Sequence, residues 1–454
     1  KGVRHCQAAP SPVFPHLSST RLTPVPASER AAVDGMPNAL AFSPRKQLLD
    51  VKESKSSQKT IAVVNRGDHF SLWNPLTEDK LSTSKPSKGA SKGDFLSVQL
   101  VHNAANTVVV SPGVKDTVIR LFDNEMLSAK TCLSEKKLEG VSLTYITPEK
   151  LYGHRGSMMG EADNEDSKVF QYLGASGSTL VSFSVDGRMR DGVVKQWTGA
   201  AQLQSSKEFK TYKGIVQIIP LARKTGFVAR CGDGYIRRYD QTVGSLASAA
   251  QPRAKAKFYL SEKVPAASDA FVTNVSVKAD GKWMLATTNA AIYLTNWVDD
   301  DVKAEDFVIA ELGLDPTVQV SDFGHFEFRS AKFDSSVEDD VANPDMCEKR
   351  IGAFITPGED AACKDTVMVQ WSLRDVFRGD NLKIKSGDED EEAPGPCDDA
   401  VPVLKVGVCK LYSDHGSSPL PTLAAPSAPV EEWMWHKDER AIATLGDAMK
   451  TMKV

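Results

Sequence analysis

Seven cysteines and eight histidines are the side chains with which this 454-residue chain could bind a metal or attack a carbonyl. The cysteines stand at 6, 132, 231, 347, 363, 397 and 409, and no two form a C-x-x-C pair. His69, His102, His154, His325, His415 and His436 are scattered, with no H-E-x-x-H and none within metal spacing of a cysteine pair. Zinc needs ligands that converge, and this spacing supplies no such set. No G-x-x-x-x-G-K-[ST] phosphate loop and no G-x-S-x-G elbow occurs. Gly232-Asp233-Gly234 reads as a turn between strands, and no helix follows it to offer an anion its N-terminus. The expectation is no catalytic residue, no cofactor and no metal.

Binding chemistry is easier to find. Asp388, Glu389, Asp390, Glu391 and Glu392 form an acidic run that could dock a basic partner or remain a solvated loop. Trp433 and Trp435, in EEWMWHKDER, could anchor a partner, because tryptophan dominates interface energetics, or could pack a strand of the last repeat. These seven residues are the candidate partner-binding positions. Arg66-Gly67-Asp68 matches an adhesion tripeptide but lies between two β-runs, where it reads as a hairpin turn.

Composition narrows the class of partner. A net charge of −4 and a pI near 6.1 give no basic field for nucleic acid or an anionic membrane. No apolar run approaches the ~20 residues that span a bilayer. An odd number of cysteines argues against a closed disulfide framework and for a reducing, cytoplasmic setting. Residues 1–28 carry three basic residues, no acid and many Pro, Ser and Ala. They read as an extended arm, and the composition also suits in part the tail of an organelle transit peptide. Asn274-Val275-Ser276 fits the glycosylation pattern but reads as ordinary strand.

The elements that carry these residues are β-strands. From about residue 39 onward, short β-rich runs alternate with Gly, Asp and Asn turns, and helical periodicity is scarce. Several runs end alike: HFSLWN (69–74), VIRLFDN (118–124), VVKQWT (193–198), YIRRYD (235–240) and VMVQWS (367–372), with AIYLTN (291–296) in the same frame. Branched apolar residues precede the aromatic on alternate positions, as in a strand pressed between two neighbouring sheets. Hairpin-grade turns join each ending to an earlier run, as in TGFVAR-CGDG-YIRRYD (225–240) and at Asp280-Gly281. Landmarks at 73, 122, 197 and 239 are separated by 49, 75 and 42 residues, so a repeat of roughly 40–45 residues carries insertions. Six landmarks and a C-terminal pair over 440–454 make seven units. A strand within 39–49 could complete the last unit and close the circle.

VIRLFD, YIRRYD and VKADGKWMLATT resemble WD40 repeats, although Trp-Asp ends no strand and the Gly-His opening is not regular. The segments 234–249, 275–296, 326–336 and 366–390, with the closing DERAIATLGDAMKTMKV, resemble more specifically the vacuolar import and degradation protein twenty-seven family. Its plant relatives are the defective-embryo-and-meristems proteins. Family members usually carry an N-terminal half before the propeller, and no counterpart of it is found in these residues. The resemblance implies a cytoplasmic adaptor in vacuolar delivery and protein degradation. The expected architecture is all-β: a seven-bladed WD40-type β-propeller over 39–454, with a Pro/Ser-rich arm at 1–38 and insertions at about 125–170 and 385–430. The expected role is a non-catalytic scaffold for other proteins in a multi-subunit assembly. An enzyme with a site in the central channel is the alternative of another class.

Overall fold

The computed structural model describes residues 48–53, 60–84, 95–101, 106–112, 116–124, 132–140, 142–148, 169–176, 179–186, 194–196, 214–221, 226–240, 254–264, 271–278, 280–303, 306–314, 325–334, 350–356, 366–377, 403–406, 409–412, 422–423, 430–436, 440–445 and 448–453. They are mostly β and fall into seven sheets. The first holds β1 (Leu48–Glu53), β2 (Thr60–Asn65), β3 (Phe70–Asn74) and β4 (Asp79–Thr83). The second holds β5 (Ser97–Val101), β6 (Asn106–Pro112), β7 (Thr117–Asp123) and β8 (Cys132–Leu138). In the third, β9 (Tyr145–Pro148), β10 (Val169–Ser176), β11 (Thr179–Asp186) and β12 (Val194–Gln196) follow one another across the sheet. The fourth is built from β13 (Ile215–Pro220), β14 (Phe227–Cys231), β15 (Ile236–Tyr239) and β16 (Ala256–Phe258). A four-residue helix, α1 (Leu260–Lys263), follows β16.

The fifth sheet runs β17 (Asn274–Val277), β18 (Met284–Thr287), β19 (Ile292–Thr295) and β20 (Ile309–Leu312). The sixth has β21 (Glu327–Phe333), β22 (Arg350–Thr356) and β23 (Thr366–Ser372), after which comes the short α2 (Leu373–Val376). Two later strands return to these sheets. β24 (Val403–Val406) adds to β20 in parallel, and β25 (Cys409–Tyr412) pairs with β23, as does the two-residue β26 (Thr422–Leu423). β27 (Val430–His436), β28 (Arg440–Leu445) and β29 (Ala448–Lys453) form the seventh.

Five of the six aligned strand endings occupy the third place in their sheets: β3, β7, β15, β19 and β23. The sixth does not. Residues 194–196 form the outer strand β12, and the third strand of that sheet is β11. The stretches expected as insertions also supply sheet strands: β8 and β9 lie within 125–170, and β24, β25 and β26 within 385–430. The strand expected within 39–49 falls mostly outside the described residues. β1 begins at Leu48 and pairs with β2 in the first sheet.

Both faces of the inner strands are covered, which is why they read as unbroken apolar runs. In β18, Met284 and Ala286 pack with Ile236 and Phe258 of the fourth sheet, while Leu285 packs with Phe328 and Ile351 of the sixth. Similar shared cores join the first sheet to the second, where Phe70 meets Phe122 edge-on at 5.2 Å, and the third to the fourth through Ala175, Ile218 and Tyr239. The Leu143 amide donates to Thr117 Oγ1 at 2.9 Å between the second and third. Polar pairs tie the fourth to the fifth: Gln217 Nε2 donates to Val275 O at 2.9 Å, and Arg238 Nη1 to Val298 O at 2.6 Å.

The order of packing returns to its start. Ile442 and Met449 of the seventh sheet share a core with Ala62, Val64 and Trp73 of the first. Above that core, the β3–β4 turn grips β29. Glu78 accepts the Thr451 amide at 2.9 Å and the Lys450 ammonium at 2.6 Å, and Thr451 Oγ1 donates to Pro75 O. Glu78 is the one non-glycine residue with positive φ among the described residues, at 61°. A left-handed backbone costs roughly 1–2 kcal/mol in a residue with a Cβ, so other contacts must hold it. The two bonds to β29 do so, and they satisfy an amide that would otherwise be left on a strand edge.

Glu78→Ala keeps the backbone constraint and removes the carboxylate, so it isolates the grip. Loss of a charged hydrogen-bond acceptor should lower unfolding free energy by about 1.5–3 kcal/mol in urea titration. An unchanged midpoint would show that the turn contributes nothing to closure. Gly352 of β22 tests the neighbouring joint. A Cβ there would lie 2.6 Å from Trp435 Cζ2, 2.8 Å from Met368 Cε and 3.0 Å from Trp433 Cη2. Gly352→Ala should therefore destabilise the chain by about 1–3 kcal/mol through overpacking, read in the same titration.

Candidate interaction surface

The sequence-derived candidates separate. Asp388, Glu389, Asp390, Glu391 and Glu392 lie outside the described residues. Trp433 and Trp435 are 0% and 3% exposed, inside the joint between the sixth and seventh sheets. Their indole N–H groups donate to Ser330 O at 2.7 Å and Lys332 O at 3.3 Å, both on β21. Lys332 and Arg350 lie over the two rings, at 5.5 and 5.0 Å from the centroids, and Lys332 also pairs with Glu432. Both indoles thus spend their surface on neighbours within the chain. Arg66-Gly67-Asp68 forms the β2–β3 turn, as its spacing predicts, with Gly67 at φ 92°.

A different group of aromatic and charged residues gathers at the β14–β15 turn. Gly234 takes φ 88°, a conformation that glycine adopts without strain, and the turn closes through Gly234 N to Cys231 O at 3.1 Å. Asp233 organises it from within. Its Oδ1 accepts the Tyr235 amide at 3.1 Å, and its two oxygens receive Arg237 Nη1 at 2.9 Å and Nη2 at 2.6 Å. Burial alone would lower the Arg237 pKa, but this two-pronged bond outweighs it and holds the guanidinium above its ordinary value. The glycine also leaves room for a ring: a Cβ on Gly234 would sit 2.8 Å from Tyr259 Cε2.

Tyr259 stacks on Tyr235, with centroids 4.6 Å apart and planes 19° from parallel. Arg237 stands 5.1 Å from the Tyr235 centroid. The Tyr235 hydroxyl donates to Glu262 Oε1 at 2.6 Å, and that bond holds the phenol above its ordinary pKa. Glu262, on the helical turn after β16, is exposed, and both tyrosines are half-buried.

Phe271 is a separate exposed feature. It is 67% exposed, the most exposed large apolar side chain among the described residues. The adjacent Val272 is buried, and its carbonyl accepts Arg230 Nη1 at 2.9 Å. Arg230 lies on β14, so this bond ties the segment bearing Phe271 to the fourth sheet. Burial lowers the Arg230 pKa to about 10, which leaves it charged at neutral pH. The β14–β15 turn thus presents two stacked phenols and a carboxylate on a hydrogen-bonded support.

Sequence reading located the Gly-Asp-Gly turn but not the surface. The signal for Arg237 was its place two residues before the aromatic landmark, which puts it on the same face as Tyr239. Nothing in local spacing brings Tyr259 to that turn. Among the described residues, no three His, Cys, Asp or Glu side chains are grouped to hold a metal.

No family profile matches the chain, and no curated protein matches it. Solved structures do. The chain is similar to the β-propeller domain of Cps50 (Swd1) from Myceliophteria thermophila, at 10% identity and a TM-score of 0.48, over 91% of this chain and 97% of that one. It is similar also to the WD40 domain of SCAP from fission yeast, at 8% identity and a TM-score of 0.43, over 90% and 92%. Neither lends this chain a role for any residue.

Cys231 lies beneath this surface, buried, and burial raises its thiol from an ordinary 9.0 to about 11. Only the thiolate is a good nucleophile. Iodoacetamide at pH 8 should therefore leave Cys231 unmodified in the folded chain and label it in urea, as read by peptide mass mapping. Between pH 9 and about 11 the unfolded chain releases this proton while the folded chain keeps it, so stability falls across that window. Rapid labelling of the folded chain would overturn this.

Proposed function

We propose that the chain is a seven-bladed WD40-type β-propeller that serves as a non-catalytic scaffold for other proteins. Support for the blade reading comes from seven sheets whose packing passes from each to the next and from the last back to the first. Support for binding comes from one observation above the others. Phe271 is held two-thirds exposed on a segment fixed by buried hydrogen bonds. Exposing a large apolar side chain on a rigid support lowers the ordering cost of binding when a partner covers it.

The role follows from this geometry. A closed ring of sheets holds its connecting turns in place, so a partner meets a preformed surface. On this reading the chain is a subunit or adaptor of a larger assembly. The finer reading, a cytoplasmic adaptor in vacuolar delivery and protein degradation, is supported by the likeness of segments 234–249 and 275–296 to that family. The first of these contains Tyr235 and Arg237 of the surface.

Gentle affinity purification of the full chain tests the proposal. The wild type should bring down a protein partner at fixed stoichiometry, and Phe271→Ala should reduce its yield at least tenfold while thermal unfolding stays unchanged. Equal recovery by both chains would remove this surface from the interface. A multi-turnover activity in the purified chain would overturn the scaffold reading.

A further inference from the structure

Resting on that proposed role, we infer that the surface formed by Tyr259, Tyr235 and Glu262 takes a cationic side chain, lysine or arginine, from a protein partner. Three observations lead to it. First, the tyrosine stack already holds a cation. Arg237 stands 5.1 Å from the Tyr235 centroid, where the negative face of a ring attracts a guanidinium. Tyr259, half-buried and stacked at 4.6 Å, enlarges that π-surface. Second, the charge of Arg237 is already matched by Asp233, through two hydrogen bonds. Glu262 is therefore not needed to neutralise it.

Third, Glu262 is oriented. Its Oε1 accepts the Tyr235 hydroxyl at 2.6 Å, which places an exposed carboxylate at the edge of the two-ring stack. A carboxylate held beside an aromatic face supplies both halves of cation recognition, ion pairing and cation–π attraction. Lys263, the next residue, is only partly exposed. An acidic or phosphorylated partner would meet Glu262 as a like charge and is disfavoured.

The probe is an acetylated, dye-labelled peptide of alternating arginine and glycine, titrated against the full chain by fluorescence anisotropy at low and physiological salt. A lysine–glycine peptide and a glutamate–glycine peptide run beside it. The basic peptides should bind and the acidic one should not. Glu262→Gln, an exposed and nearly isosteric change, should weaken the arginine peptide about tenfold, which corresponds to ~1.4 kcal/mol. Tyr259→Ala should weaken it comparably, and Tyr259→Phe should restore it, since the ring face and not the hydroxyl does the binding. Melting curves confirm that each variant folds.

Basic peptides that fail to bind the wild type, or that bind Glu262→Gln and Tyr259→Ala as tightly as the wild type, overturn the inference. The Phe271→Ala purification separates this failure from that of the proposed function. A protein partner lost on Phe271→Ala, together with peptides indifferent to Glu262, leaves the scaffold standing and removes the cation site. Preferential binding of the acidic peptide would also overturn it.

Discussion

A sheet of three or four short strands cannot bury its own side chains. Each face carries one layer of apolar residues, and each layer needs a neighbour. Inner strands such as β2, β14 and β18 are covered on both faces, so the sheets are stable as a series whose two ends meet. The joint between the first and seventh sheets is the point on which the others depend. It joins residues 372 positions apart in the chain, Glu78 and Lys450, and the two sheets contribute Val64, Trp73, Ile442 and Met449 to one core. The large separation makes this contact entropically expensive to form. A strained residue at Glu78 is tolerated there because the closure it makes covers an edge and an apolar face together.

The neighbouring joint, between the sixth and seventh sheets, uses a different device. Trp433 and Trp435 alternate with Met434 along β27 and pass through the space that Gly352 leaves open. Buried indoles must place their N–H groups, and both find carbonyls on β21. Lys332 and Arg350 then lie over the rings, so long cationic side chains cover the aromatic surface and keep their charges near Glu432 and Asp334. A last sheet with three described strands is thereby held by shape, hydrogen bonds and charge on the side away from the closure.

Three arginines on β14 and β15 show how buried charge is used in the fourth sheet. Arg230 fastens the segment leading into β17, Arg237 braces the turn that carries Tyr235, and Arg238 reaches the β19–β20 connection. Each guanidinium has at least one acceptor at an Nη group, without which its burial would cost several kcal/mol. The outcome is a rigid frame around a small exposed group. The tyrosine stack, Glu262 and Phe271 are the part of this frame that faces outward, and their support is what makes them suited to recognition.

Local pattern determined a good deal of this protein. The alternation in IRRY, the Asp-Gly and Gly-Asp-Gly turns and the recurring aromatic endings specify short strands, hairpins and a repeat, because period and turn chemistry depend only on near neighbours. They do not tell the third strand of a sheet from its outer strand, and 193–198, which supplies the outer strand β12, matches the same frame. Tertiary structure alone decided which large side chains face inward. Trp433 and Trp435 have the composition of an interface anchor, and they are buried because Gly352 lies opposite them. Phe271 has the composition of a core residue, and it is exposed because Arg230 holds its neighbour instead. The exposure of a side chain depends on what the fold sets across from it, and residues far apart in the chain carry no mark of that meeting in their spacing.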